Sequence, residues 1–375
     1  MDQTANGQQN PGVSNRTHWK NTILAGLANY IDAGSIVAGA AGLVLWASMF
    51  HLSSSFVGLI GAISSNAISA GVGALIGGRL CDKLGRKKIY QWDMLVYAFG
   101  LLFIIFAAAP WMLVVGYVIA GLAVGADVPA SWTLIAELAP NGQRGKHSGV
   151  AQVLWYSGPV VVLLLSLAMS PLGILGIRIV FAHLFLLAIC LWFARRSMKE
   201  SEVWARAEQA VRERAARAMR QREGEVAVTS FGHARELFNR RNIGAMLFLI
   251  GMYGVWNLWA GTNGFFLPFI LRTVGSESQA MSVAIQCLSF VAGIVAIYFV
   301  FMRLVDRVDQ KMLFGAGALL QVIGMFLLAM FHLTLPIALG YVILTGIGGG
   351  FGQQSFFHCG AGSCSPPCCA APRRA

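Results

Sequence analysis

Ten long apolar runs constrain what this chain can fold into more than any other feature of the sequence. They cover approximately residues 21–47, 56–80, 89–109, 111–138, 148–170, 177–194, 244–271, 279–304, 312–332 and 335–357. Crossing the ~30 Å hydrocarbon core of a bilayer takes about 20 helical residues, and a helix satisfies all of its own backbone hydrogen bonds there. The runs therefore predict an all-α membrane protein with about ten transmembrane helices.

The composition agrees with a multi-pass membrane protein and argues against nucleic-acid binding. Of the 375 residues, 57% are hydrophobic and only 12% are charged, yet the formal net charge is +12. Nucleic-acid binding would need a basic face on a soluble domain, whereas here the basic residues lie in short stretches between apolar runs. The charge therefore indicates membrane topology.

A polar stretch, residues 195–243, divides the apolar runs into six before it and four after it. An amino terminus in the cytoplasm puts 24 of the 28 Lys and Arg residues on the cytoplasmic side, as the positive-inside rule requires. We predict a cytoplasmic tail over residues 1–20, a six-helix half over 21–194, a cytoplasmic linker over 195–243 and a four-helix second half over 244–357.

A cluster of charges follows the second run and has the form G-x-x-x-D-[RK]-x-G-R-[RK]-[RK], with Gly78 as its first residue. We expect Gly78 to allow close helix approach, Gly85 to form a tight turn, and Asp82 to pair with Arg86 or with a helix amino end. A related segment, residues 306–311, follows the eighth run. Parallel repeats of this kind are a transporter architecture.

This motif resembles the loop motif of the major facilitator superfamily, and two further segments resemble the sugar porter family within it. Residues 119–125 with Leu134, Glu137 and Arg144 fit a sugar porter signature, and Glu200-Ser201-x-x-Trp204 is similar to its P-E-S-P-R-W segment. The resemblance implies a major facilitator fold and a cytoplasmic charge network that closes the inner gate. Its members are Gly78, Asp82, Gly85, Arg86, Glu137, Arg144, Glu200, Asp306 and Arg307. Ordinary surface ion pairs are the alternative.

Twelve helices are expected in this family, whereas the runs give a complete half of six and a second half of four. Residues 358–375 are a mixture rich in Cys, Pro, Ala, Ser and Arg. We interpret this tail as the result of a reading-frame shift near Phe357 that removes the last two helices. A metal-binding tail is the alternative, but the spacings of its four cysteines do not fit a C-x-x-C zinc site.

Asp32 lies near the middle of the first run, where an ionised carboxylate is costly. Proton-coupled sugar porters carry an Asp there within a G-Y-D segment, so the resemblance implies proton coupling through Asp32; a structural buried acid is the alternative. The family's Arg partner in the fourth run is replaced by Tyr117, and Asp127 follows ten residues later. We expect Asp32 and Asp127 to lack a basic partner and to share or relay a proton, or to bind a cationic solute group. For Asp93, we expect water or Lys87 as its partner.

The seventh run aligns with the family's Q-Q-x-x-G-x-N segment but keeps only its Gly and its final Asn. By resemblance and by the chemistry of amides and aromatic rings, the expected solute-binding residues are Gln152, Trp155, Asn257, Gly261 and Asn263. Interhelical hydrogen bonds and packing are the alternative role. Because both Gln residues of the segment are replaced, a hexose is one candidate among polyols, organic acids and aromatic acids.

The function that these features indicate is alternating-access symport of a small polar organic solute with protons, in an inner or plasma membrane. We expect no catalysis, metal or cofactor, and the expected partners are the solute, protons and the lipid bilayer. A truncated, non-transporting remnant and a membrane sensor on the same scaffold are the alternatives. The sequence specifies neither the substrate nor the oligomeric state.

Overall fold

The protein is described by a computed structural model that covers residues 15–63, 67–138, 144–196, 209, 213, 240–275, 278–305 and 307–352. All regular structure in these ranges is helical. The main helices are α1 (Asn15–Met49), α2 (Ser54–Ile63), α3 (Ile68–Leu84), α4 (Arg86–Ile105), α5 (Pro110–Leu138), α6 (Arg144–Ala168), α7 (Ile174–Arg195), α8 (Arg240–Thr273), α9 (Gln279–Ala296), α10 (Gln310–Met330) and α11 (Leu335–Phe351). The helix α9 continues as a π-helical turn (Ile297–Phe301) and a short helix (Met302–Leu304).

Each predicted apolar run is helical over most of its described length. Within the described residues, eight helical stretches are long and apolar enough to cross a membrane. The helices α2 and α3 together cover the second run, on either side of residues 64–66, which are outside the described residues. The all-α membrane fold predicted from the sequence is confirmed.

The helix α1 lies at the centre of the first half, in contact with α5, α6, α7 and α8. Small residues make this possible: Ala25, Ala28 and Ala38 are completely buried, and larger side chains such as Leu43 and Trp46 are buried at its far end. A helix that is apolar on all sides is typical of a buried position. The carboxylate of Asp32 is therefore carried into the interior by the most enclosed helix of the half.

Glycines bring α3 and α5 into direct backbone contact. A Cβ atom on Gly73 would overlap the carbonyl group of Leu122, and one on Gly125 would overlap the carbonyl group of Ala70. The close approach expected at Gly78 is wrong, because a Cβ atom there would have no described atom within 4 Å. The packed glycines of α3 are Gly73 and Gly77, and Gly77, directly before Gly78, lies against the backbone of Ala126 on α5.

The tight turn expected at Gly85 is confirmed. Gly85 is the single residue between α3 and α4, and its φ of 92° lies in a region that other residues avoid. Its backbone N–H donates to the carbonyl of Cys81 at 3.2 Å. This residue therefore reverses the chain between two antiparallel helices.

The second half repeats the helix packing of the first. In the first half, glycines join the helices of the second and fourth runs. In the second half, Gly346 lies against the carbonyl of Ser289, and Gly350 lies against the carbonyl of Gly293. These contacts join α9 and α11, which correspond to the eighth and tenth runs. The repeat seen in the charged motifs is therefore also present in the packing.

Within the described residues, side chains rather than backbone contacts join the two halves to each other. The ring of Tyr156 on α6 lies against Gly293 on α9, and the side chain of Met302 lies against Gly149. These contacts connect residues from opposite halves without bringing their backbones together. The interface between the halves is therefore of a different kind from the packing within each half.

Helix ends define two faces of the molecule. The helices α1 and α6 run in parallel, as the contact of Gly26 with Ala151 and that of Gly34 with Val162 show. They begin at the same face, where α3 and α7 end. We call it the basic face, because exposed cations lie on it, among them Lys20, Lys83, Lys88, Lys146 and Arg196.

The glycine contacts predict a position-specific effect on stability. Replacing Gly73 by Ala should destabilise the protein by about 1–3 kcal/mol, because the added methyl group overlaps the backbone of α5. Gly71→Ala is the matched control on the same helix, since a Cβ atom there has no described atom within 4 Å. Thermal unfolding of the purified protein in detergent measures both variants. Equal effects of the two substitutions would contradict this account of the packing.

Candidate functional site

A cavity of about 140 Å³ lies between the two halves. Its lining combines polar side chains with flat aromatic rings. The polar residues are Asn29, Asp32, Asn257, Asn263, Gln286, Ser289, Gln321 and Thr345, and the aromatic residues are Trp132, Trp155, Tyr156, Trp256, Trp259 and Phe290. Among the lining residues of the described chain there is no Lys, Arg or His. The cavity thus offers amides, aromatic faces and one carboxylate.

Four of the residues predicted from the sequence line this cavity: Asp32, Trp155, Asn257 and Asn263. Gln152 and Gly261 are not among the lining residues. Gln152 is buried next to Ala151, where α6 packs against α1, and its amide has no hydrogen-bond partner among the described residues. Gly261 lies off the face of α8 that lines the cavity, because the lining positions there follow the helical repeat.

The carboxylate of Asp32 is buried in the cavity wall. Asp32 is only 4% exposed, and neither of its carboxylate oxygens has a hydrogen-bond partner within the described part of the chain. An isolated ionised carboxylate in an apolar environment is costly. A proton on Asp32 removes that cost, so this group is suited to gain and lose a proton at the cavity.

Hydrogen bonds fix the orientation of the amide side chains in the wall from the second half. The indole N–H of Trp259 donates to the hydroxyl of Tyr341 at 3.2 Å, and that hydroxyl donates to Oδ1 of Asn263 at 2.7 Å. The Nε2 of Gln286 donates to the carbonyl of Gly264 at 2.7 Å. These bonds hold Asn263 and Gln286 in place before any ligand enters the cavity.

Two amides keep unused hydrogen-bonding groups at the cavity. The Oε1 atom of Gln286 and the Nε2 atom of Gln321 are both buried without a partner in the described residues. One is an acceptor and the other is a donor, so together they match a hydroxyl group, which both donates and accepts. Sequence reasoning missed both residues. Their signal was the rarity of a polar side chain inside an apolar run.

A buried arginine joins two carboxylates from α4 and α5. Nη1 of Arg195 lies 3.1 Å from Oδ1 of Asp93 and 3.2 Å from Oδ1 of Asp127. It also donates to the carbonyl of Tyr90, and the guanidinium carbon lies 3.4 Å from the centre of the Tyr90 ring. Four helix positions from three helices thus form one buried charge cluster.

This cluster corrects two expectations. Asp127 was expected to lack a basic partner, and Asp93 was expected to contact water or Lys87, but both carboxylates bind Arg195. The reason is the end of α7. The predicted linker begins at residue 195, whereas the helix continues through Arg195 and buries it completely.

The predicted cytoplasmic charge network lies mostly outside the described residues. Glu200 and Asp306 are not described, and neither are the side chains of Asp82, Arg86, Glu137 and Arg144. Arg307 is described and is exposed. The role of these residues in a gate therefore stays a prediction.

The comparison with known proteins identifies the family. The sequence profile of the Major Facilitator Superfamily matches residues 22–366. The chain belongs to the Major Facilitator Superfamily. It is thus a multi-pass membrane transporter and not an enzyme.

Two curated relatives cover most of this facilitator. It is 45% identical over 347 residues to the minor myo-inositol transporter IolF of Bacillus subtilis (strain 168), which corresponds to 92% of this chain and 77% of the relative. It is 26% identical over 340 residues to the glucose transporter GlcP of Staphylococcus epidermidis (strain ATCC 12228 / FDA PCI 1200), with 84% and 71% covered.

Solved structures support the same fold. The proton:xylose symporter XylE bound to 6-bromo-6-deoxy-D-glucose superimposes on this facilitator with a TM-score of 0.72. The match covers 94% of this chain and 83% of the symporter, at 19% sequence identity. At this identity the likeness concerns the fold alone.

The charge cluster predicts a large effect on stability. Arg195→Gln should destabilise this facilitator by about 3–5 kcal/mol, because two buried carboxylates lose their cation. Arg178→Gln is the matched control on the same helix, since the Nη2 of Arg178 donates to the carbonyl of Ala107 at 2.7 Å. Thermal unfolding in detergent should show a smaller loss for the control. A loss for Arg195→Gln no greater than the control's would mean that the cluster contributes little.

Proposed function

We propose that this facilitator transports a neutral polyhydroxylated ring, with myo-inositol as the first candidate, by alternating access coupled to protons. The composition of the cavity wall carries the proposal. Amides exchange hydrogen bonds with hydroxyl groups, and aromatic rings stack on the apolar face of a saturated ring. The relationship to a myo-inositol transporter and a glucose transporter supports the same class of solute.

The charges at the cavity argue against the organic and aromatic acids that the sequence left open. An anionic solute needs a cation or several converging N–H groups. The described lining has no Lys, Arg or His, and its ionisable carboxyl group is that of Asp32. A carboxylate solute would therefore face a group of like charge or a neutral acid, whereas a neutral polyol meets no such penalty.

Proton coupling is assigned to Asp32, with Asp127 as a second site. Asp32 is the carboxylate in the cavity wall, and it has no described partner. Asp127 is held in the charge cluster by Arg195. We further propose that the basic face is cytoplasmic, in agreement with the positive-inside rule.

Alternating access is supported by the two kinds of helix packing. Backbone contacts at glycines make each half a rigid unit, whereas side chains such as Tyr156 and Met302 join the halves. Rotation of one rigid half against the other around a central site is the movement expected of transporters built from repeats. The cavity lies between the halves, where this movement would open it to either face.

Uptake into proteoliposomes tests the function directly. The purified chain, reconstituted with an inward proton gradient, should accumulate labelled myo-inositol, and a protonophore should abolish the accumulation. D-glucose and D-glucuronate share a ring and differ by a carboxylate, so excess glucose should compete and excess glucuronate should not. Absence of both uptake and exchange would favour a non-transporting remnant or a sensor.

The coupling role of Asp32 gives a separate prediction. Asp32→Asn keeps the size of the side chain but cannot bind and release a proton. We expect it to abolish uphill accumulation while solute exchange across the membrane continues. Accumulation at the level of the unmodified protein would exclude Asp32 as the coupling group.

Substitution of Gln152 and Gln286 distinguishes the solute-binding residue predicted from the sequence from the one assigned from the structure. Gln286→Leu should raise the KM for solute about tenfold, because it removes a preorganised acceptor from the cavity. Gln152→Leu removes an amide that does not line the cavity, so its effect on KM should be much smaller. Initial rates of exchange over a range of solute concentrations give both values. A larger effect at Gln152 would restore the sequence-based assignment.

A further inference from the structure

Arg195 has more hydrogen-bond donors than it uses. Its contacts with Tyr90, Asp93 and Asp127 all go through Nη1. The Nε and Nη2 atoms are buried without an acceptor among the described residues. A guanidinium has five N–H donors, and buried donors without acceptors are costly. The arginine is thus only partly engaged in this conformation.

Asp32 is complementary to this arginine. Both of its oxygens are buried without a donor in the described part of the chain. Asn29, about one turn before it on α1, contacts Ser131, one turn after Asp127 on α5. Unused acceptors and unused donors therefore lie in the same buried region of the first half. No ion pair between Asp32 and Arg195 is formed in this conformation, within the described contacts.

The groups around Arg195 carry an excess of negative charge. Tyr90 and Asp93 contact it from α4 and Asp127 contacts it from α5, while Asp32 on α1 interacts with it electrostatically without a contact. The helix α6 contributes no described charged group to this set. Three carboxyl groups share one guanidinium, and full ionisation would leave unbalanced charge in a buried place. One of the carboxyl groups of the cluster is therefore suited to bind a proton.

We propose that Arg195 is the exchangeable counter-ion of the transport cycle, which leaves Asp127 and pairs with Asp32 when the proton of Asp32 departs. The inference rests on the proposed function. The O–H bond at Asp32 breaks, and an O–H bond forms at an oxygen of Asp127. The guanidinium then donates from Nε and Nη2 to the carboxylate of Asp32, in the bidentate geometry typical of arginine–carboxylate pairs. The charge of the cluster is unchanged, so the step needs no other reactant.

Asp32 and Asp127 lie at a similar depth between the two faces. The hydroxyl of Ser131, one turn after Asp127 on α5, lies 3.5 Å from Oδ1 of Asn29, about one turn before Asp32 on α1. Because α1 begins and α5 ends at the basic face, both acids lie about one turn farther from that face than this contact. A proton that moves from Asp32 to Asp127 therefore leaves the cavity wall without a large change in depth.

Arg195 is a positioning residue in this scheme, since it does not line the cavity. Its test therefore needs a readout that a structural role alone would not change. Infrared spectra of the purified chain in liposomes report protonated carboxyl groups, and the band lost in Asp32→Asn identifies that of Asp32. The variant Arg195→Gln with Asp127→Asn removes one positive and one negative charge, which leaves the net charge of the cluster unchanged. Asp127→Asn alone separates the two contributions.

We expect the position and pH dependence of the Asp32 band to differ between the double variant and Asp127→Asn. The control Arg178→Gln should leave the band as it is in the unmodified protein. An Asp32 band that does not respond to the loss of Arg195 would overturn the proposal. This measurement needs no solute, so it decides the role of Arg195 even if the proposed function fails.

Transport provides the second readout. In proteoliposomes, the double variant should lose uphill accumulation of labelled myo-inositol by about tenfold or more while exchange continues. Accumulation equal to that of Arg178→Gln would overturn the proposal. If the unmodified chain neither accumulates nor exchanges a neutral polyol, the proposed function is the part that fails, and the infrared result stands for Arg195.

Discussion

Backbone contact at glycines is the interaction on which the rest of this facilitator depends. In lipid no hydrophobic force drives one helix against another, so close van der Waals packing has to supply the attraction. Gly158 of α6 lies against the carbonyl of Tyr30 on α1, two residues from Asp32. Gly125 and Gly346 make equivalent contacts within their own halves. The cavity and the charge cluster are therefore held by helices whose spacing leaves no room for a methyl group.

Among the described residues, the interface between the halves is formed by side chains instead of by backbone contacts. The ring of Phe265 lies against Gly39, and the ring of Tyr156 lies against Gly293. The backbone of each half stays intact when such rings turn, so these contacts can be exchanged for others at a modest free-energy cost. The cavity lies where these two kinds of packing meet, with Asp32 on the rigid side. Asp32 is thus held in place by contacts within the first half.

The sequence was sufficient for the fold and for part of the cavity, and the reasons are physical. The length of the apolar runs follows from the thickness of a bilayer, and Asp32 was recognisable because a carboxylate is rare in such a run. Arg195 was missed because hydropathy assigns a charged residue at a helix end to the polar stretch. Gln152 was misjudged because the direction of a side chain depends on how its helix is rotated against α1. Gln286 lay outside every motif that the sequence offered.

The contact between Gly158 and Tyr30 restricts the substitutions that the first-half wall of the cavity can accommodate. A larger residue at this contact would displace α1 and move Asp32 with it. The first-half wall of the cavity therefore tolerates few substitutions. The second-half wall is formed by projecting amides such as Gln286 and Gln321, which can be exchanged one at a time without moving a helix. The cavity wall can therefore be altered more easily through α8 to α10 than through α1.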